Sequence, residues 1–184
     1  LATKINFEQI KEIRSKTEIP ISLFSYINPI MNFGVDKFLD RCSQVGIDGV
    51  ILPDLPYDEA ELFCSKSRAL GISPILLVAP NTSNKRIEEI SIMADNLIYA
   101  VSILGITGNK LTRKDELKSY LKRVKKHSKA PFIVGFGISN RKDVIWFNKY
   151  SDGAVVGSAI IQNMIKNNNS LKETEYYLND LLGK

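Results

Sequence analysis

The chain has 184 residues, 44% hydrophobic and 24% charged, with a formal net charge of +5. That is the composition of one globular domain over 1–184 with room for a sizeable core. Disorder is excluded, and no apolar run approaches the roughly 20 residues of a membrane-spanning helix. His127 is the sole histidine, which argues against histidine-built zinc sites and Ser–His or Cys–His triads. Cys42 and Cys64 fall in helical patterns that read as buried thiols.

The opening LATKINFEQIKEIR is no signal peptide. Asn6 reads as a helix cap, with Phe7, Ile10 and Ile13 on one face. Because Leu1 leads straight into this pattern, the expectation is that residues lie upstream. Ile21 to Asn28 reads as a buried strand ending in polar Tyr26 and Asn28. Val35, Phe38, Leu39, Cys42 and Val45 keep helical spacing until Gly46. Asp48 to Pro53 is the second strand, closed by Asp54 and Pro56. A helix then carries Ala60, Phe63, Ser67 and Leu70 up to Gly71. Ile72 to Pro80 is the third strand, and Asn84 is expected to cap a helix bearing Ile87, Ile90 and Ala94. Asn96 to Ser102 is the fourth, and its exit loop ILGITGN holds Gly105, Thr107 and Gly108.

The helix that follows is the densest basic stretch. Leu117, Leu121 and Val124 share one face, and the lysines lie around the others as on a solvated helix. No aromatic residues interleave with them, which argues against nucleic-acid binding. A fifth strand contains Phe132, and Asn140 caps a helix with Val144 and Phe147. The sixth runs from Gly153 to Val156, and a short helix covers Ala159 to Ile165. NNNS breaks the chain before a last helix with Leu171, Leu178, Leu181 and Leu182 on one side.

Six strands alternating with helices in units of roughly 25 residues imply a parallel sheet. A doubly wound sheet and an eightfold barrel both fit. Nothing like a dinucleotide loop follows the first strand and candidate ligand groups end several strands, so the barrel is favoured, with about six of eight βα units. PFIVGFGISN and AVVGSAIIQN each pair an apolar run with glycine, a small hydroxyl residue and a helix. Gly135, Gly137 and Gly157 admit close backbone approach, and helix-opening N–H groups suit an anion. Barrels commonly build a phosphate site in the loops after their last two strands. The alternative is that these glycines merely end strands.

GIDGVILPDLPYDE, LLVAPNTSNKRIEEI, NLIYAVSILGITG, PFIVGFGISN and DGAVVGSAII, in this order and spacing, resemble the tryptophan synthase alpha chain family over nearly the whole sequence. The resemblance implies a (β/α)8 TIM barrel and a lyase that cleaves indole-3-glycerol phosphate to indole and glyceraldehyde 3-phosphate. It implies no cofactor in this chain, since pyridoxal phosphate belongs to a beta chain joined in an alpha2beta2 tetramer. Gly135, Phe136, Gly137, Gly157 and Ser158 would hold the substrate phosphate. Tyr99 and Ile51 would line the indole pocket, with Leu23 or Phe24 beside them. Thr107 and Gly108 would sit on a mobile lid that Asp54 helps to order, and Asn28 and Pro56 would meet the beta chain.

The residues themselves leave other roles open. Tyr99 is equally a core tyrosine, Asp54 a turn or cap carboxylate, Thr107 a cap, and Ser158 a helix N-cap compatible with phosphate binding. The family's catalytic glutamate and aspartate have no counterpart here and are expected upstream of Leu1, so the 184 residues alone are expected to be inactive and poorly folded. Ile103 stands where the family usually has arginine. Two other functions remain: a non-catalytic phosphate-binding barrel that regulates a beta chain, and another phosphate-binding barrel enzyme. The resemblance implies bacterial cytoplasm or plastid stroma as the compartment.

Overall fold

The computed structural model describes residues 6–102, 110–135 and 137–184, with side chains from 114 onward in the helix that opens at Lys110. In chain order the elements are α1 (Phe7–Arg14), β1 (Ser22–Phe24), α2 (Ile27–Phe33), α3 (Val35–Gln44), β2 (Gly49–Ile51), α4 (Tyr57–Ala69), β3 (Ser73–Val78) and α5 (Asn84–Ala94). There follow β4 (Ile98–Val101), α6 (Lys110–His127), β5 (Phe132–Gly135), α7 (Arg141–Asn148), β6 (Gly153–Ala154), α8 (Ser158–Lys166) and α9 (Leu171–Leu182). The strands form one sheet in the order β1-β2-β3-β4-β5-β6, every pair parallel. All six therefore end at one rim, with neighbours about 4.8 Å apart.

Alternation along the strands divides the core into layers. Leu76, Val78, Ile98, Ala100, Phe132 and Val134 point outward and meet Ile87, Ile90, Leu117, Leu121, Val124 and Phe147 of the helices. A second outer cluster joins Phe7, Ile30, Phe38, Leu39, Cys42 and Val45 to Val50 and Leu52. Each fully buried Leu, Ile or Phe contributes roughly 1.5–3 kcal/mol, so these two layers hold the helices on the sheet. The residues between, Ile51, Ile75 and Tyr99, form an inner cluster with Leu77, Val101, Ile133 and Val155.

The opposite rim is closed by Arg14. Its guanidinium donates to the carbonyls of Gly46 (2.9 Å), Thr17 (3.2 Å) and Ile19 (3.1 Å) and pairs with Asp48. The same Asp48 carboxylate accepts from the Ile21 N–H at 2.7 Å. Gly46, at φ +78°, has no room for a Cβ, which would come within 2.9 Å of the Arg14 side chain.

Five sequence expectations change. The first strand stops at Phe24, and Ile27–Phe33 is a helix. Tyr26 makes no side-chain cap bond there, so the helix owes its start to a distant carboxylate and to buried Ile30, neither visible locally. Pro29 is tolerated because it sits in the first turn. Ser83, not Asn84, caps α5, its hydroxyl accepting from the Arg86 N–H at 3.2 Å. Gly157, not Ser158, is the N-cap of α8, which puts Ser158 at the first helical position. Of the four leucines assigned to one face of α9, only Leu181 is buried. The caps at Asn6 and Asn140 are as expected, and β6 is shorter than predicted, although Val155 N–H still donates to Val134 at 2.7 Å.

Candidate functional site

The shared rim collects the sequence candidates. Register pairs Phe24 with Ile51, Tyr99 with Ile133 and Val101 with Gly135, so these side chains project to the inner face. Phe24 is 51% exposed on that face, whereas Leu23 packs against the outer cluster. Of the two candidates, Phe24 is thus the one beside Ile51 and Tyr99. Tyr99 is 5% exposed, and burial pushes its hydroxyl above the ordinary tyrosine value. At neutral pH it is an uncharged hydrogen-bonding group and no base.

Tyr99 also explains Gly135. A Cβ on Gly135 would lie 1.6 Å from the Tyr99 hydroxyl oxygen and 2.4 Å from its Cζ, so the tyrosine ring occupies the space a side chain would need. The Gly135 carbonyl accepts from the Ser102 N–H at 3.0 Å and from its hydroxyl at 2.7 Å. The ends of β4 and β5 are thereby stitched together.

Beyond β5, Gly137 has φ +80°, a conformation that favours glycine, and lies exposed at the rim. Beyond β6, Gly157 has open space about its Cα and precedes exposed Ser158. The first N–H groups of a helix have no intrahelical partner, so the start of α8 presents donors beyond β6, the strand paired with β5. Phe136, Thr107, Gly108, Gly105 and Ile103 lie outside the described residues.

Asp54 takes up one of its alternatives. Its Oδ1 accepts from the Ile27 N–H at 2.9 Å, capping α2 from the loop after β2. Asn28, in the first turn of α2, and Pro56, the N-cap of α4, flank this bond and are both exposed. Sequence reasoning missed Tyr177, whose hydroxyl donates to the Ser139 carbonyl at 2.7 Å. A tyrosine on a final amphipathic helix carries no local sign of reaching a loop 38 residues away.

Parallel strands with helices outside, an apolar inner face and backbone donors gathered at the carboxyl rim define a protein of the (β/α)8-barrel class, here with six of the eight strands. The sequence model described as Tryptophan synthase alpha chain matches residues 2–182. A tryptophan synthase alpha chain from Petrotoga mobilis is 41% identical over 179 residues, covering 95% of this chain and 69% of that one. One from Bacillus mycoides is 39% identical over 156 residues, 85% of this chain and 60% of its own. The fold matches a mutant alpha subunit from the hyperthermophile Pyrococcus furiosus at TM-score 0.84 and 33% identity, over 97% of this chain and 72% of that one. It also matches the alpha2beta2 complex of the same organism at TM-score 0.85 and 34% identity, over 97% and 73%. The chain belongs to the tryptophan synthase alpha chain family.

Proposed function

We propose that the protein is the alpha subunit of a tryptophan synthase, cleaving indole-3-glycerol phosphate to indole and glyceraldehyde 3-phosphate and passing indole to a beta chain. The observation that supports this is the pairing of β5 with β6, the two strands that glycine motifs follow, beside an inner face holding Tyr99, Ile51 and Phe24. Gly135, Phe136, Gly137, Gly157 and Ser158 bind the phosphate in this reading, and the flat indole lies against Tyr99 and Ile51. Binding energy from the phosphate, remote from the bond broken, orients the ring.

Cleavage requires protonation of the indole ring carbon and removal of a proton from the departing alcohol, work for two carboxylates. Asp54 stands at the rim but caps α2, so we assign the acid and base to residues outside these 184. Thr107 and Gly108 belong to the closing loop. Asn28 and Pro56 face the beta chain, a partner supported by the alpha2beta2 assembly of the Pyrococcus relative. Pyridoxal phosphate stays with that partner. Indole release from indole-3-glycerol phosphate by the intact protein tests the reading, and its absence overturns it. Robust turnover by the 184-residue stretch alone overturns the assignment of the acid and base.

A further inference from the structure

We propose that Tyr177, on α9, is a positioning residue for the proposed anion cradle, fixing Ser139 and with it the described segment 137–140 that precedes α7. The inference rests on the phosphate reading of that loop. The Tyr177 hydroxyl donates to the Ser139 carbonyl at 2.7 Å, two residues beyond Gly137 with its φ of +80°. On its other side the loop is fixed by the start of α7. Asn140 Oδ1 accepts from the Asp143 N–H at 3.0 Å, while Asp143 Oδ2 accepts from the Asn140 side chain at 2.8 Å and the Ser139 N–H at 3.4 Å. Those ties arise within the loop's own helix. Tyr177 supplies one from elsewhere in the fold.

The helix that carries Tyr177 packs on the helices that follow both halves of the proposed cradle. It packs on α7, which follows the β5 loop, and on α8, which opens at Ser158 after the β6 loop. Arg141 strengthens the first contact by donating to the Asp180 carbonyl at 3.2 Å. Among the described residues of α9 only Leu181 is buried, while Leu171, Tyr176 and Leu182 are exposed. A helix with so little apolar anchorage takes its position largely from its polar ties. A change at α9 can therefore reach the loop through the Tyr177 hydroxyl.

Titrating the intact protein separately with inorganic phosphate and with indole tests this. Tyr177→Phe keeps the ring and removes the donor. Phosphate affinity is expected to fall by up to about fivefold, the limit set by the worth of one neutral hydrogen bond, with indole affinity unchanged. Tyr176→Phe, at an exposed neighbour, should alter neither. Unchanged phosphate affinity in Tyr177→Phe overturns the proposal. Equal weakening of phosphate and indole also overturns it, because the bond would then serve stability alone. If the unaltered protein binds indole but no phosphate, the cradle reading fails and takes this proposal with it.

Discussion

Replacing Gly135 by alanine puts a methyl group where the Tyr99 hydroxyl already lies. The added Cβ would be 1.6 Å from that oxygen, 2.4 Å from Cζ and 3.0 Å from Cε1, all inside any real contact. Neither partner gives way easily. Tyr99 is packed with Ile51, Ile75 and Ile133, and β5 cannot move back without loosening both bonds from Ser102 to the Gly135 carbonyl. Overpacking of a tight core costs about 1–3 kcal/mol, and with two atoms below 3 Å the upper end is expected. Tyr99→Phe removes only the closest atom and leaves Cζ at 2.4 Å, so it should rescue little. Tyr99→Leu removes both. On its own it is destabilising, yet combined with Gly135→Ala it should show a favourable coupling of at least about 1 kcal/mol. Urea unfolding of the four species at constant m-value measures this cycle. A Gly135→Ala protein as stable as the parent, or a cycle additive within about 0.5 kcal/mol, refutes the packing argument.

Other outcomes are expected on the same footing. Arg14→Lys should cost nearly as much stability as Arg14→Ala, about 2 kcal/mol, because one ammonium cannot serve three carbonyls and Asp48 at once; thermal melts would reveal a benign lysine if this is mistaken. Asp54→Ala should cost about 1 kcal/mol through the lost cap on α2, while Asp54→Asn keeps an acceptor for the Ile27 N–H and most of the stability. Equal losses in the two variants would show that the charge, not the cap, matters. Burial pushes the Cys42 thiol up to about 12 and the Cys64 thiol to about 11, and it raises the Tyr120 hydroxyl that donates to the Val78 carbonyl. The folded chain keeps these groups neutral where the unfolded chain would ionise. Their contribution is therefore complete below the thiols' ordinary 9.0 and is lost as pH rises toward 12, at up to about 1.4 kcal/mol per pH unit per group. Cys42→Ala should flatten the decline in denaturation midpoints between those limits, and an unaltered slope would contradict it.

The strands were legible because their apolar runs are bounded by glycine and proline, and their repetition fixed the parallel sheet. The inner and outer faces were not, since a run buried on both sides has no alternation to read. Leu23 and Phe24 could be told apart only by register with Val50 and Ile51. The helix at Ile27–Phe33 was missed because its cap, Asp54, comes from 27 residues along the chain. Ser158 offered the stronger capping chemistry, yet Gly157 with its φ of −123° and ψ of −87° took the position. The glycine loops were visible as motifs. That Gly135 makes way for Tyr99 was not, because it depends on two strands lying side by side.

The wall formed by α4 has a mechanical consequence. Ala60 and Cys64 are embedded in one outer cluster and Phe63 in the other, while Leu55, just ahead of the helix, touches both. Sliding this helix in either direction would open a void on one flank and crowd the other, so it behaves as a wedge. Through Leu52 and Leu55 the short segment 52–56 leading into it is packed on the same layers, and from there the carboxylate of Asp54 holds the first N–H of α2.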